Sequence, residues 1–281
     1  MMASSAPLIG FLHPGAMGAS IASIVTGTGA WVGDGRSEAT AWRAEEAGLV
    51  QLGSLGEMVD RCEVIVSVCP PGSAVEVARS VADAGFDGVF ADVNAVSPQT
   101  ARTIAERFAR FVDGGIIGPP VRVAGTTRLH LSGGEAPLVA ELWRDSPLEV
   151  RVIDGPAGAA SAVKACFATW TKASAAMLLA IRALARAEGV EESLAAEWAT
   201  SMPDLADRAE LSAVGTAPKA WRFVGEMHEQ ADAFEAGGLP GGFSAAAAEI
   251  YRRMAVLKDV EAADLDAVLG ALLDAGRLPP G

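Results

Sequence analysis

A glycine-rich turn near the N-terminus has the residue types and spacing that could hold a phosphorylated ligand. It consists of His13, Pro14, Gly15, Ala16, Met17 and Gly18. In folds that bind dinucleotides, such a turn follows a strand, lets the backbone approach a pyrophosphate and ends at a helix N-terminus with free N–H groups. Gly15 would serve the close approach and Gly18 the packing of helix on strand. Because His13 replaces the usual first glycine, an ordinary glycine-rich turn is the alternative.

The choice between the two nicotinamide cofactors would depend on Asp34, Arg36 and Ser37, which lie later in the chain. Asp34 lies about 20 residues beyond the start of the turn, where a carboxylate would bind an adenosine ribose and favour NAD. Arg36 and Ser37 follow, and a guanidinium beside a hydroxyl suits a 2′-phosphate and favours NADP. Ser37 could instead simply cap the next helix, with Glu38 in its first turn. We expect NADPH to be preferred, with NAD possible.

Two later segments end apolar runs and offer further groups to a ligand. Cys69 and Pro70 follow the run EVIVSV at 63–68, and Asn94 and Ser97 follow the run at 88–94. Because ligands in such folds bind outside the carboxyl ends of the strands, Cys69 and Pro70 would line the cofactor trough. Asn94 and Ser97 would face nicotinamide or substrate. A rigid proline turn is the alternative at Cys69, and a plain N-cap before Pro98 is favoured for Ser97 taken alone.

Lys164 is the candidate for proton transfer. It lies near the start of a helical stretch among small and apolar neighbours such as Ala160, Val163 and Ala168. A lysine that is partly desolvated in such a setting is suited to general acid–base chemistry. A solvated surface lysine is an equally weighted alternative. Lys172, two turns later, is a weaker second candidate.

The elements that must position these residues alternate between strands and helices in the first half of the chain. The periodicity predicts strands at 8–12, 31–32, 63–68, 88–94, 111–115, 128–132 and 149–153. Helices are predicted between them at 16–25, 37–47, 73–84 and 98–108. Such alternation indicates a mostly parallel sheet with right-handed crossovers.

The second half carries no strand pattern. Residues 157–188 read as one long helix that stops at Gly189, and further helices are predicted at 191–202, 202–211, 219–236, 244–260 and 264–275. We therefore predict an α/β domain over 1–154 and an all-α domain over 155–281, joined by a long interdomain helix.

Composition narrows the function classes. The chain has 281 residues and a formal net charge of −13, so it lacks the basic surface that nucleic-acid or anionic-membrane binding requires. Cys62, Cys69 and Cys166 form neither a disulfide framework nor a metal-ligand spacing, and we expect them to be small buried hydrophobic residues without metal. With no signal-peptide pattern and no long apolar run, we expect a cytoplasmic protein.

With these residues in place, the chain resembles the β-hydroxyacid dehydrogenase superfamily, which includes 3-hydroxyisobutyrate and 6-phosphogluconate dehydrogenases and has imine reductases as relatives. The matching motifs are IGFLHPGAMG at 9–18, GRS at 35–37, DVNAVSP at 92–98, DGGIIGPP at 113–120 and GPAGAASAVK at 155–164. The tail, including 217–227 and 237–251, resembles the phosphogluconate-dehydrogenase-like helical C-terminal domain of one branch.

The resemblance implies a Rossmann domain, a helical second domain, a homodimer and a small-molecule site in the cleft between the domains. It places Lys164 at the family's catalytic lysine, which would exchange a proton with the substrate oxygen while hydride moves at C4 of the nicotinamide. Asn94 and Ser97 would fall in the substrate and nicotinamide motif, and residues 115–119 near the substrate loop.

Two positions depart from the family pattern. Ile117 stands where a polar residue is frequent, and Ala168 stands where the family has Asn. Both changes indicate a substrate larger or less polar than the familiar hydroxy acids. Side chains of the helical domain that could shape the pocket, with helix packing or a solvated face as the alternative for each, are Trp221, Glu226, Met227 and His228. We expect an NADPH-dependent dehydrogenase or reductase, with an imine reductase or a non-catalytic nucleotide-binding protein as alternatives.

Overall fold

The first part of the chain is organised around one sheet of eight strands. The structure, a computed structural model, describes residues 7–258, 260 and 262–274. The strands are β1 (Leu8–Leu12), β2 (Thr28–Val32), β3 (Val50–Leu52), β4 (Val64–Ser67), β5 (Val89–Asp92), β6 (Phe111–Ile117), β7 (Arg128–Ser132) and β8 (Glu149–Val152). Every neighbouring pair is parallel except β6 and β7, which are antiparallel. The predicted, mostly parallel sheet is confirmed.

The strand order creates a crevice at one point of the sheet edge. The order is β3-β2-β1-β4-β5-β6-β7-β8. After β1, the chain adds β2 and β3 on one side of this strand and then β4 to β8 on the other side. At this reversal Leu12, the last residue of β1, lies beside Ser67, the last residue of β4. The connections that leave the two strands diverge here, and doubly wound folds bind their ligands at such a point.

Helices flank the sheet and bury both faces of its central strands. They are α1 (Ala16–Ala22), α2 (Glu38–Glu46), α3 (Leu55–Arg61), α4 (Ala74–Asp83), α5 (Pro98–Ala105) and α6 (Ala136–Ala140). Alternate residues of one strand enter different apolar cores, since Ile9 and Phe11 belong to one cluster and Leu12 to another. This pattern is expected for strands covered on both sides, and it explains why the strands read as nearly continuous apolar runs.

Three elements of this part were not predicted. Strand β3 and helix α6 are only three and five residues long, too short for a periodic signal. Helix α3 did have a signal, because Ser54 caps it by accepting a hydrogen bond from the Glu57 amide at 3.1 Å, the Ser-x-x-Glu arrangement of a capping box. Helices α1 and α5 each end three residues before their predicted ends at Val25 and Phe108.

The second part is entirely helical over its described residues, as predicted. The helices are α7 (Ala159–Ala168), α8 (Ser174–Ala187), α9 (Glu191–Ser201), α10 (Leu205–Thr216), α11 (Ala220–Ala236), α12 (Gly242–Met254) and α13 (Leu265–Asp274). The single long helix predicted over 157–188 is interrupted by a π-helical turn, Thr169–Ala173, between α7 and α8. Helix α10 starts three residues after the predicted Met202, and α12 ends at Met254 rather than Val260. The predicted end of α13, Ala275, lies outside the described residues.

The chain forms two compact units, which divide between Ala165 and Cys166. The sequence places the domain boundary earlier, near Gly155. The difference arises because the first turns of α7 are hydrogen-bonded to β6 and β7, as described below. No helix among the described residues is both long enough and apolar enough to cross a membrane.

Candidate active site

The turn after β1 brings α1 close against the neighbouring strand. Its backbone is tight, with the Gly15 amide donating to the His13 carbonyl oxygen at 2.6 Å. A Cβ added to Gly18 would lie 2.9 Å from that oxygen and 3.4 Å from the Cβ of Val68. Position 18 therefore leaves no room for a side chain, which is what close packing of helix on strand requires.

The same turn is open beside Gly15. A Cβ at this position would meet only the His13 carbonyl oxygen, at 3.9 Å, so a side chain here would project into free space. The amides of Ala16, Met17 and Gly18 lie in the first turn of α1 and have no intrahelical acceptor. An open glycine beside helix amides that have no intrahelical acceptor, at the reversal of strand order, fits the pyrophosphate of a dinucleotide.

His13 occupies this turn in an unusual state. Its backbone has a φ of +61°, in the left-handed region. The ring is half-buried, and its Nδ1 atom is enclosed without a hydrogen-bond partner among the described residues. Burial, and secondarily the charge of Arg36, lower the pKa of His13 to about 4. The imidazole is therefore neutral at neutral pH, a property that the sequence did not reveal.

Arg36 and Ser37 lie on the turn between β2 and α2. The Arg36 amide donates to the Gly33 carbonyl oxygen at 3.1 Å, and Gly35 takes a φ of +67°. The exposed guanidinium of Arg36 forms no ion pair with any described residue. Ser37 Oγ accepts a hydrogen bond from the Thr40 amide at 3.3 Å, so the helix-capping interpretation of Ser37 is confirmed.

Asn94 ties the ends of β4 and β5 together. Its Oδ1 atom accepts from the Cys69 amide at 2.5 Å, and its Nδ2 atom donates to Ser67 Oγ and to Asp92 Oδ2, both at 3.0 Å. Both amide hydrogens are thus engaged within the protein, and only acceptor capacity on Oδ1 is left. The side chain is buried, so this geometry favours a positioning role for Asn94.

The cysteines differ in exposure. Cys69 is half-buried at the crevice, where burial and then the Asp92 carboxylate raise the pKa of its thiol to about 12, so it is protonated at neutral pH. Cys62 is buried, but Cys166 is exposed, and the prediction that all three are buried is wrong. The Pro70 carbonyl oxygen accepts from the Ser73 amide at 2.9 Å, which confirms a rigid turn. The described residues hold no group of metal-ligating side chains.

Ser97 caps helix α5. Its Oγ atom accepts from the Thr100 amide at 3.0 Å and lies 2.8 Å from Thr100 Oγ1. Pro98 occupies the first helical position, as the capping interpretation expects. Ser97 is only 2% exposed, and a direct contact of this residue with a ligand stays a prediction.

Lys164 is directed at the end of β6. Its Nζ atom donates a hydrogen bond to the Ile116 carbonyl oxygen at 2.7 Å, and the side chain is half-buried rather than fully solvated. Helix α7 approaches β6 closely here, because a Cβ on Gly115 would lie 2.9 Å from the Cβ of Lys164 and 3.1 Å from the Ala160 carbonyl oxygen. A glycine at position 115 is what permits this approach.

A buried carboxylate fixes the start of α7. Asp113 in β6 is 1% exposed, and its Oδ2 atom accepts from the Gly158 amide, the Ser161 amide and Ser132 Oγ at 2.9, 2.9 and 3.0 Å. Its Oδ1 atom accepts from Ser161 Oγ at 2.5 Å, and Ser132 Oγ accepts from the Ala160 amide at 3.0 Å. Sequence analysis did not single out Asp113, although a carboxylate inside the apolar run FVDGGII was a signal.

A second charged group lies in the helical unit, at the π-helical turn. Lys172 Nζ forms an ion pair with Glu226 and lies 4.7 Å from the centre of the Phe223 ring. Tyr251 Oη donates to the Lys172 carbonyl oxygen at 2.8 Å. Both ends of the ion pair are largely buried, with side-chain exposures of 17% for Lys172 and 14% for Glu226. This turn is thus held by three side chains of α11 and α12.

The other candidates of the helical unit have ordinary settings. Met227 is fully buried in the apolar core of this unit, as the helix-packing alternative expects. Trp221 is 46% exposed, with Lys258 Nζ 4.8 Å from its ring centre, and His228 is exposed. Sequence alone could not separate these cases, because all lie on one helix with weak amphipathic contrast.

The fold defines an architectural class. The doubly wound sheet followed by a helical unit is the architecture of the 3-hydroxyacid dehydrogenases, and the resemblance in fold that the motifs imply is confirmed. Within the helical unit, residues 185–254 match a family described as "Domain of unknown function (DUF1932)".

Two relatives are similar to this chain at 25–30% identity. An uncharacterized 28.5 kDa protein in the 7S RNA 5′ region of Methanothermus fervidus is 30% identical over 162 residues, which are 57% of this chain and 62% of the relative. The chain thus matches less than two thirds of that relative's length. The solved structure of the conserved protein MTH1747 of unknown function, described as similar to 3-hydroxyacid dehydrogenases, is 25% identical, with a TM-score of 0.69 over 89% of this chain and 98% of its own.

More distant structures share the fold. A 3-hydroxyisobutyrate dehydrogenase from Mycobacterium tuberculosis, determined with L-serine, is 21% identical, with a TM-score of 0.68 over 95% of this chain and 99% of its own. A reductive aminase from Aspergillus terreus in complex with NADPH and ethyl levulinate is 19% identical, with a TM-score of 0.52 over 98% of this chain and 100% of its own. An imine reductase from Myxococcus stipitatus in complex with NAD+ is 18% identical, with a TM-score of 0.55 over 95% of this chain and 99% of its own.

Proposed function

We propose that the protein is an NADPH-dependent oxidoreductase that transfers hydride between the nicotinamide and a small hydroxy or carbonyl compound, with Lys164 as general acid and base. The observation that carries the proposal is the position of Lys164 Nζ, 2.7 Å from the Ile116 carbonyl oxygen. This places an ammonium group at the carboxyl end of β6, on the sheet edge where the open glycine turn follows β1. The glycine turn proposed to bind the cofactor and the lysine proposed to donate the proton both belong to the compact unit that ends at Ala165.

The chain's own residues would supply binding, orientation and proton transfer. When bound, the cofactor supplies or accepts the hydride. Lys164 Nζ would donate a proton to the substrate oxygen when a carbonyl is reduced, and would accept it when a hydroxyl is oxidised. The Ile116 carbonyl oxygen orients that group. Asn94 would keep the ends of β4 and β5 in register beside the nicotinamide, and Ser97 would hold the start of α5 next to them.

Preference for NADPH is supported by Arg36. Its guanidinium is exposed on the turn after β2, where the adenosine ribose lies in dinucleotide folds, and it has no ion-pair partner among the described residues. A 2′-phosphate would provide that partner in a bidentate geometry. NAD stays possible, since structures with this fold have been determined with NADPH in one case and with NAD+ in another.

The substrate is proposed to be larger or less polar than a small hydroxy acid. Ile117 and Ala168, which replace polar family residues, are 5% and 1% exposed, so neither position offers a hydrogen-bonding group. The same apolar character favours an imine reductase as the second candidate, because a cyclic imine brings fewer polar groups to be satisfied than a hydroxy acid does.

A homodimer is supported by an apolar stripe in the helical unit. Met177, Ile181 and Leu184 in α8 are 52%, 39% and 61% exposed, and their spacing of four and three residues places them on one helix face. Trp170, in the π-helical turn just before, is 70% exposed. Contiguous exposed apolar surface of this kind marks interfaces. We expect sedimentation to show a dimer and Trp170→Glu to shift it toward monomer.

The test of the activity compares Lys164→Met with Lys219→Met, which changes an exposed lysine. Reduction of carbonyl compounds and of cyclic imines is measured with NADPH, and cofactor binding is followed by fluorescence. We expect Lys164→Met to lower kcat by about 10²- to 10⁴-fold while the Kd for NADPH changes little, and Lys219→Met to leave both unchanged. Full turnover in Lys164→Met would remove the assigned role. Binding without turnover of any substrate in the wild-type protein would leave a non-catalytic nucleotide-binding protein.

A further inference from the structure

The loop between β6 and β7, residues 118–127, is fixed at its base by its own contacts. Gly118 has a φ of +126°, which favours glycine, and a Cβ added there would collide with the Thr126 carbonyl oxygen. Thr127 is fully buried, and its Oγ1 atom donates a hydrogen bond to the Pro119 carbonyl oxygen at 2.6 Å. These contacts hold the two ends of the loop together, so the loop leaves the sheet in a defined direction.

Ser20 in α1 attaches this loop at a second point. Its Oγ atom accepts a hydrogen bond from the Val121 amide at 3.1 Å and donates one to the Met17 carbonyl oxygen at 2.9 Å. The hydroxyl group therefore uses its donor hydrogen and an acceptor position at the same time. The Val121 side chain is buried in the apolar cluster that also contains Ile21, the next residue of α1. Polar and apolar contacts thus fasten the loop to this helix.

The hydrogen bond that Ser20 accepts joins two parts of the candidate site. On one side, α1 follows the glycine turn, and Met17 belongs to the first helical turn, whose amides have no intrahelical acceptor. On the other side, the loop starts directly after Ile117, the last residue of β6, and the Ile116 carbonyl oxygen accepts the hydrogen bond from Lys164 at 2.7 Å. A shift of the loop relative to α1 would therefore change the space between the glycine turn and the lysine.

We propose that Ser20 is a positioning residue that couples the glycine turn to the loop 118–127, so that the substrate site takes its final shape when the dinucleotide is bound. The inference rests on the proposed function, since it requires a dinucleotide on the turn after β1. A bound pyrophosphate orders the first turn of α1, including the Met17 peptide group, and the Ser20 hydroxyl extends this order to the Val121 amide. Ser20 acts through these two peptide groups and not through a contact with the substrate.

The experiment compares the wild-type protein with Ser20→Ala, Ser20→Thr and Ser23→Ala. Alanine removes the hydroxyl group and is a good helix former, so Ser20→Ala is expected to fold. Threonine keeps a hydroxyl that can donate to the carbonyl oxygen three residues earlier, and it should restore the coupling. Ser23→Ala is the matched control, because Ser23 is an exposed serine at the end of the same helix, and its hydroxyl donates to the Ser20 carbonyl oxygen.

Amide hydrogen exchange of the full chain, with and without NADPH, tests the coupling without a known substrate. We expect NADPH to slow exchange over residues 13–20 in all of these proteins. Over residues 118–127, NADPH should slow exchange by roughly 5- to 10-fold in the wild-type protein, Ser20→Thr and Ser23→Ala, and by less than about twofold in Ser20→Ala. A contact that only stabilises the fold would change exchange over 118–127 equally with and without NADPH.

Steady-state kinetics with a carbonyl compound or imine that the wild-type protein reduces gives the second measurement. We expect Ser20→Ala to raise KM for that compound by roughly 5- to 10-fold, while kcat and the Kd for NADPH change by less than about twofold. Ser20→Thr should restore KM, and Ser23→Ala should leave it unchanged.

Three results would overturn the inference while the proposed function stands. They are equal slowing by NADPH over residues 118–127 in the wild-type protein and Ser20→Ala, no slowing there in the wild-type protein, and an unchanged KM in Ser20→Ala. If NADPH slows exchange in neither segment of the wild-type protein and fluorescence detects no binding, the proposed function fails as well.

Discussion

The carboxylate of Asp113 accepts both the amide and the hydroxyl hydrogen of Ser161, at 2.9 and 2.5 Å. These bonds join β6 to the first turn of α7, three residues before Lys164. The same carboxylate accepts the Gly158 amide, and so it satisfies helix amides that have no intrahelical acceptor. The position of Lys164 on the sheet edge therefore depends on a residue that does not itself reach the crevice.

Asp113→Ala should destabilise the protein and reduce activity together. The change leaves the Gly158 and Ser161 amides and two hydroxyl groups without their buried acceptor, which we expect to cost about 2–4 kcal/mol in the free energy of unfolding. Urea unfolding measures the loss. Asp145→Asn, in an exposed turn, is the control and should stay within about 0.5 kcal/mol of the wild-type protein.

Gly115→Ala tests the close approach of α7 to β6. The added methyl group would lie 2.9 Å from the Cβ of Lys164, so the helix must move outward by a few tenths of an ångström. We expect a loss of about 1–3 kcal/mol in stability, as for other overpacked sites, with a fall in kcat and little change in the Kd for NADPH. The matched control is Gly134→Ala, since a Cβ there meets nothing within 4 Å. An unchanged kcat in a folded Gly115→Ala protein would show that Lys164 needs no such placement.

The strands that carry the crevice could be predicted because their residues are apolar over whole runs. The apolar pattern predicted the positions of five strands, β1, β4, β5, β7 and β8. Glycine and proline marked the turns between them. β3 and α6 were not predicted because they are too short. Three residues show no clear alternation of apolar and polar side chains, and five residues make less than two helical turns. The π-helical turn was not predicted for a different reason. It packs against α11 and α12, and a local sequence pattern contains no information about such distant contacts.

At the π-helical turn, substituting Glu226 alone should lower the stability of the protein, whereas substituting Lys172 as well should restore most of it. Glu226→Gln leaves the Lys172 ammonium largely buried without its counter-charge, and we expect a loss of about 2–4 kcal/mol in stability. Adding Lys172→Met should recover most of that loss, because the apolar chain keeps its contact with the Phe223 ring. Thermal unfolding of the four proteins gives the coupling. Additive losses in the double variant would contradict a direct interaction between the two side chains.

The candidate site was predictable in its backbone and less so in its side chains. The glycine turn, Arg36 and Lys164 follow from spacing and from the resemblance, because they depend on local sequence. The roles of Asn94 and Asp113 depend on partners that are 25 to 48 residues away in the chain. Sequence spacing could not predict these two roles, because only the folded sheet brings Cys69 next to Asn94 and Ser161 next to Asp113.

Stability should fall in acid through His13. Its pKa is about 4 in the folded chain and about 6.5 in an unfolded one, so between these values the unfolded chain binds more protons. The free energy of unfolding must then decrease as pH falls through this window, and the loss is complete once pH drops below the folded value. His13→Gly lacks this titration, while every other acid-sensitive group is common to both proteins. Urea unfolding of the two proteins at a series of pH values should therefore show the wild-type chain losing stability relative to His13→Gly from about pH 6.5 downward. Parallel stability curves would mean that the imidazole titrates alike in both states, and that the enclosed Nδ1 atom is not kept from protonation by the fold.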